Sequence, residues 1–166
     1  LQSGCDETLK RMNRKYTVSE VEEIIERLRR YYDDVILTTD IIVGFPGETD
    51  EDFACSLKIV DETQFCKVHS FKYSKRKGTK ATEMLNQIPG EIKNKRISEL
   101  MEKAKLSSSI FFKKNEQTER IVLFEEITKD GYVAGYTDNY IKVYVKSEKN
   151  ILNNFLYVKL LKEYKD

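Results

Sequence analysis

Residues 38–49, TTDIIVGFPGET, form a β-branched apolar strand that runs into a Gly-Pro-Gly turn and carries a single carboxylate, Asp40, in mid-strand. A buried strand rarely holds an unpaired charge without a use for it, so Asp40 is expected to sit inside the fold with a partner. Thr49-Asp50 then opens a helix, which sets any ligand at the carboxyl end of the strand, where open α/β sheets and α/β barrels keep their sites.

Upstream, Leu1 to Gly4 reads as the end of a strand and Cys5 to Asn13 as a short helix or turn. Thr17-Val18-Ser19-Glu20 is a capping box, and Val21, Ile24, Ile25 and Leu28 follow at helical spacing, which predicts a helix over about 18–32. The strand itself is expected over 35–45. A second helix follows from Thr49, with Phe53, Leu57 and Val60 on one face, and a strand over 66–73 comes next. This β-α-β-α-β order predicts parallel strands joined by crossover helices. After Tyr73 comes the basic loop SKRKGTKA, then a helix over about 89–114 begun by Pro89. From Gln117 the texture changes to four short strand-like runs, near 118–127, 131–136, 139–146 and 155–162, which predict a small antiparallel barrel and a domain boundary near 115.

The 166 residues carry a net charge of +1, but the charge is segregated. Residues 1–66 hold 8 basic and 15 acidic side chains, residues 67–114 hold 13 and 4, and residues 115–166 hold 8 and 9. The basic middle reads as a phosphate-binding face or as a solvated helix surface. Cys5, Cys55 and Cys66 fit no metal-ligand spacing, and their odd number suits a reducing, cytoplasmic setting. No apolar run is long enough to span a membrane. The chain opens on Leu1 in a strand end, so it reads as a fragment.

The residues alone offer no catalytic set. His69 reads as a strand-face residue, Asp50-Glu51-Asp52 as ordinary helix N-terminal charge, and GFPGET lacks the lysine and spacing of a phosphate loop.

Taken together and in order, LQSG with MNRKYT, TTDIIVGFPGET, FKYSKRKGT and a β-rich tail resemble the radical S-adenosylmethionine methylthiotransferases over essentially the whole chain. SGCDETLKRMNRKYT and KYSKRKGTKA look most like the branch acting on threonylcarbamoyladenosine in tRNA; the branch acting on isopentenyladenosine matches less well. The resemblance implies an α/β fold, the C-terminal half of a radical S-adenosylmethionine (β/α) partial barrel with a trailing helix over 1–114, followed by a small antiparallel β-barrel, a TRAM domain, over 115–166. It implies addition of a methylthio group to C2 of an adenosine beside the anticodon, with S-adenosylmethionine and two 4Fe-4S clusters in the parent enzyme.

The cluster-binding CxxxCxxC triplet of that family is absent from this chain, none of its three cysteines carries over as a ligand, and the fragment is expected not to turn over. In related enzymes a glutamine and an arginine twelve apart reach the methionine part of the cofactor and the strand acid reaches its ribose; here these are Gln2, Arg14 and Asp40, with Ser3 and Gly44 as lesser contacts. A guanidinium suits a carboxylate and a carboxylate accepts from ribose hydroxyls. A surface ion pair for Arg14, a strand-end hydrogen bond for Gln2 and a loop-capping role for Asp40 are the alternatives. Lys72, Arg76, Lys77 and Lys80, with Arg120, Tyr136 and Lys142 in the tail, are the expected contacts to a tRNA anticodon stem-loop. A stand-alone RNA-binding module and a homodimer formed through an unpaired barrel edge are the other readings.

Overall fold

The computed structural model describes residues 1–32 and 34–164. Two compact units, Leu1–Ser108 and Ser109–Asp166, divide inside the longest helix.

In the first unit, α1 (Asp6–Arg11) and α2 (Val18–Tyr31) precede β1 (Thr38–Val43), α3 (Asp50–Thr63), β2 (Lys67–Lys72), the short α4 (Lys80–Glu83) and α5 (Gly90–Asn115). The capping boxes form as the residue types dictate. Thr17 Oγ1 accepts from the Glu20 N–H at 3.2 Å and the Glu20 carboxylate accepts from the Thr17 N–H at 2.7 Å. Thr49 and Asp52 repeat the exchange at the start of α3. Two of the four orphan N–H groups are thereby satisfied at each helix start.

β1 and β2 are parallel, with Asp40 opposite His69 and Ile42 opposite Phe71. The Leu1–Gly4 segment is not a regular strand, yet it lies along the other side of β1. The Ile42 N–H donates to the Gln2 carbonyl at 3.1 Å and Thr39 Oγ1 to the Leu1 carbonyl at 3.0 Å.

The core of this unit joins Ile25 of α2, Ile41 and Val43 of β1, Phe53 and Val60 of α3, Val68 of β2 and Leu100 of α5. Because side chains alternate along a strand, the buried set Thr39, Ile41 and Val43 leaves Thr38 and Asp40 on the opposite face. Asp40 is exposed there, which corrects the expectation of a buried charge. The helices claim one face of β1, and Asp40 has the parity of the other. His69 and Phe71 are exposed on that same bare face.

The turn after β1 is held from a distance. Gly44 has φ +72°, and a side chain there would run into the stem of Lys93 on α5. Its N–H donates to the buried Glu48 carboxylate at 2.9 Å. Arg96 of α5 meets that same oxygen at 2.7 Å, also donates to the Glu48 carbonyl at 3.2 Å, and reaches the exposed Asp50 at 2.7 Å. Both members of the Arg96–Glu48 pair are almost wholly buried.

In the second unit, β3 (Glu119–Ile127), β4 (Val133–Thr137), β5 (Lys142–Val145) and β6 (Phe155–Lys159) form one antiparallel sheet in the order β5-β4-β3-β6. Val122, Phe124 and Val133 form its core with Val143, Val145 and Val158 packed against them. β5 is shorter than the expected 139–146. Tyr140 takes φ +55° and Thr137 Oγ1 accepts from the Ile141 N–H at 2.8 Å, which makes 138–141 a turn. A groove of about 330 Å³ is lined by β5, by β6 with the chain that follows it, and by Phe112, so the two outer strands of the sheet face a shared opening.

Burial pushes the Glu48 carboxyl above its ordinary value, while the Gly44 N–H and Arg96 pull it down. A raised carboxyl favours its protonated form in the fold, so its contribution to stability falls as pH rises through the folded value. Arg96→Ala strands the carboxylate and is expected to cost about 3 kcal/mol near neutral pH. The deficit relative to the parent should widen as pH rises above the ordinary carboxyl value of 4.5 in denaturant melts; a pH-independent loss would count against an ionised Glu48.

Candidate functional site

The residues expected to hold a ligand gather beside β1. After α1, Asn13 turns the chain with φ +58° and the Arg14 N–H donates to the Leu9 carbonyl at 2.9 Å. This brings the Arg14 guanidinium to the Gln2 side chain, where Nη2 donates to Oε1 at 2.9 Å. The Leu1–Gln2 backbone is bonded to Thr39 and Ile42 on either side of Asp40, so Gln2, Arg14 and Asp40 come together around one segment of β1. A guanidinium, an amide and a carboxylate in this arrangement can grip a zwitterion and a polyol.

Two of the expected contacts have other uses. Ser3 is fully buried against α3, 3.3 Å from Ser56 Oγ, and accepts from the Cys5 N–H at 3.3 Å. It faces away from Gln2 because neighbouring residues of an extended segment point to opposite sides. Gly44 has its N–H on Glu48 and its α-carbon under Lys93, so its part is to shape the turn.

Several contributors had no signal in local sequence. Asp52 accepts from Cys5 Sγ at 3.1 Å, Thr8 Oγ1 at 3.0 Å and Arg11 Nη2 at 2.6 Å, in addition to its capping bond. The acids at the start of α3 are thus anchors, Asp52 for α1 and Asp50 for Arg96, and not the ordinary surface charges expected of them. Lys93 Nζ donates to the Tyr73 carbonyl at 3.2 Å and lies 5.6 Å from the Tyr73 ring centre. Both Lys93 and Arg96 come to the end of β1 from α5, a separation along the chain that no motif records.

Of the basic residues, Lys72 is exposed at the end of β2 and donates to Asn94 Oδ1 at 2.9 Å. Arg76 and Lys77 are exposed in the loop beyond and Lys80 is exposed at the start of α4, and no ion pair involves them among the described residues. Arg120 is half-buried and donates to Asn115 Oδ1 at 3.2 Å, within a network in which Asn139 Nδ2 donates to that same oxygen at 2.9 Å. The same guanidinium lies 3.9 Å from the Asp138 carboxylate. Lys142 pairs with Glu126 at 2.8 Å beside the rings of Tyr136 and Tyr144, and its ammonium is raised above its ordinary value, chiefly by the Glu126 hydrogen bond. Tyr136 and Tyr140 are exposed, while Tyr132 and Tyr144 are half-buried.

Cys5 is bonded to Asp52, Cys55 is exposed and Cys66 is buried; burial pushes the Cys5 and Cys66 thiols up. Among the described residues no group of three or more His, Cys, Asp and Glu is placed to hold a metal ion. No described helix is long and apolar enough to cross a membrane.

Residues 1–59 match the profile of the radical SAM superfamily. Threonylcarbamoyladenosine tRNA methylthiotransferase MtaB of Thermotoga maritima is 44% identical over 142 residues, covering 86% of this chain and 33% of that protein. The protein of the same name from Bacillus subtilis is 37% identical over 169 residues, covering 98% and 37%. A tRNA-2-methylthio-N(6)-dimethylallyladenosine synthase of Lachnoclostridium phytofermentans is 40% identical over 162 residues, covering 96% and 36%. The chain spans about a third of the length of these relatives.

Burial alone would raise the Asp52 carboxyl, but the bonds from Cys5, Arg11, Thr49 and Thr8 outweigh it and hold the group below its ordinary 3.8. A depressed carboxyl contributes stability that is present above its unfolded value and lost as pH falls through the folded one. Asp52→Asn should therefore lower the melting temperature at neutral pH, and the gap should close as pH falls below 3.8. A gap of constant size would sink this account of the anchor.

Proposed function

We infer from these matches that the chain belongs to the radical S-adenosylmethionine methylthiotransferases, and we propose that it is a segment of one acting on tRNA. In this reading residues 1–114 are the carboxyl-terminal part of the family's barrel, and residues 115–166 are a TRAM-like RNA-binding module. The parent enzyme adds a methylthio group to C2 of N6-threonylcarbamoyladenosine beside the anticodon. A cytoplasmic location goes with that role.

The cofactor part of the reading is supported by one observation: Gln2 and Arg14, twelve residues apart, meet at 2.9 Å beside the strand that bears an exposed Asp40. Bound S-adenosylmethionine supplies the radical precursor and the methyl group. This chain's share is to orient it. Arg14 would hold the cofactor's carboxylate, Gln2 its amino group and Asp40 its ribose hydroxyls, each through a charge-assisted or amide hydrogen bond. Lys72, Arg76, Lys77 and Lys80, on and beyond the carboxyl end of β2, are the proposed phosphate contacts of the anticodon stem-loop, with Tyr136 and Lys142 in the tail.

The isopentenyladenosine reaction is the rival, since relatives of both names match. Cys5 directly after Gly4 and the KYSKRKGTKA stretch favour threonylcarbamoyladenosine. Association of two copies is favoured by β2, which pairs only with β1 among the described strands.

Two experiments test the reading. Isothermal titration of S-adenosylmethionine is expected to show binding that Asp40→Ala and Arg14→Ala each weaken about ten-fold or more; both residues are exposed, so the fold should be unaffected, and equal affinity would remove them from the site. Nucleoside mass spectrometry of tRNA from cells with the gene deleted should show loss of the methylthio group from threonylcarbamoyladenosine, with isopentenyladenosine retaining its own. The opposite pattern assigns the rival.

A further inference from the structure

We propose that the outer face of the β5-β4-β3-β6 sheet is a stacking platform for unpaired bases of single-stranded RNA. The proposal rests on the tRNA reading above and adds which surface of the second unit takes the strand and what part of the RNA it reads.

The strand register builds the platform. Phe155 of β6 lies opposite Leu123 of β3, Leu123 opposite Tyr136 of β4, and Tyr136 opposite Lys142 of β5. Residues paired in this way share a face, so one row crosses all four strands. In the next row Tyr157 lies opposite Ile121. Phe155 is 65% exposed, Tyr157 79% and Tyr136 41%. The solvated face of an antiparallel sheet is ordinarily polar. This sheet already has a core on its other face, in Val122, Phe124 and Val133, so these rings are not needed there.

The chemistry around the rings favours a nucleic acid. Lys142 and Tyr144 of β5 and Lys146 just beyond it follow at every second position, with Lys142 Nζ 5.8 Å from the Tyr136 ring centre and 5.3 Å from that of Tyr144, and Lys146 Nζ 5.2 Å from that of Tyr132; Tyr132 and Tyr144 also pack against Tyr164, which leaves Tyr136, Phe155 and Tyr157 as the open rings. Of the acids in the neighbouring rows, Glu126 is paired with Lys142 and Glu119 lies opposite Lys159. A polyanion therefore meets rings bordered by the ammonium groups of Lys142 and Lys146. Phe155 and Tyr157 are two residues apart on one strand, about 6.6 Å, roughly twice the 3.4 Å step of stacked bases. Each ring thus takes one base that has left its stack. A duplex hides its base faces, and base stacking on aromatic side chains belongs to loops and single strands.

The test uses a fluorescein-labelled ten-nucleotide oligouridylate, an RNA duplex of the same length, and the whole chain with Phe155→Ala, Tyr157→Ala and Tyr157→Trp. Both positions are largely exposed, so the variants should melt with the parent. The parent is expected to prefer the single strand. Each alanine should weaken that binding about ten-fold, with the salt dependence unchanged because no phosphate contact is lost. The chain has no tryptophan, so emission from Tyr157→Trp reports on this face alone and should be quenched as the oligomer saturates. Three outcomes overturn the proposal: no binding by the parent, alanine variants within about two-fold of it, or unquenched emission at saturation. A dimer that falls to monomers in the alanine variants with RNA affinity intact would assign the face to a protein contact instead. Binding of an unmodified oligomer needs no cofactor, so failure here leaves the Asp40 and nucleoside tests standing, and their failure leaves this one standing.

Discussion

The buried contact between Arg96 and Glu48 governs the geometry of the first unit. Taking two charges out of water costs several kcal/mol per ion, and the cost is repaid only when the remaining donors and acceptors are used. Here the Glu48 oxygen that meets Arg96 also accepts the Gly44 N–H, and the guanidinium reaches on to the Glu48 carbonyl and to Asp50. One side chain from α5 thus fixes the turn that ends β1 and the first residue of α3. That turn determines where β1 stops and where anything bound at its end must sit.

A second consequence is the difference between the two faces of β1 and β2. α2, α3 and α5 bury one face, and parity along the strands leaves Asp40, Ile42, His69 and Phe71 on the other. Gln2 and Arg14 come to the edge of that bare face from the segment running beside β1. The proposed site is thus built on the side that the helices do not need. An exposed carboxylate there costs little, whereas a buried one would have required a partner of its own.

The second unit follows the same logic with different material. Its core is small, and a polar network of Asn115, Thr137, Asn139 and Arg120 ties the end of α5 to the turn after β4. Arg120 takes part in this network through Asn115. The outer face keeps its aromatic residues in the open, and their alignment comes from strand register.

Much of this was legible in the residues before any tertiary structure. Thr17 with Glu20 and Thr49 with Asp52 announce two helix starts because capping is chemistry within four residues. β-branched runs mark β1 and β2, and the glycines of GFPGET mark a turn because a positive φ excludes most side chains. The resemblance of TTDIIVGFPGET and its neighbours to one family was equally local. Other outcomes depended on contacts far apart along the chain. Asp40 proved exposed because which parity of β1 the helices cover is decided by packing. Ser3 turned inward to Ser56, Gly44 was covered by Lys93, and Phe155 came into line with Tyr136 and Lys142 only through the pairing of β6, β3, β4 and β5. Short-range hydrogen bonding and backbone sterics act within a few residues and can be read from sequence, while burial, ion pairing and register join residues from separate elements and are settled by the fold as a whole.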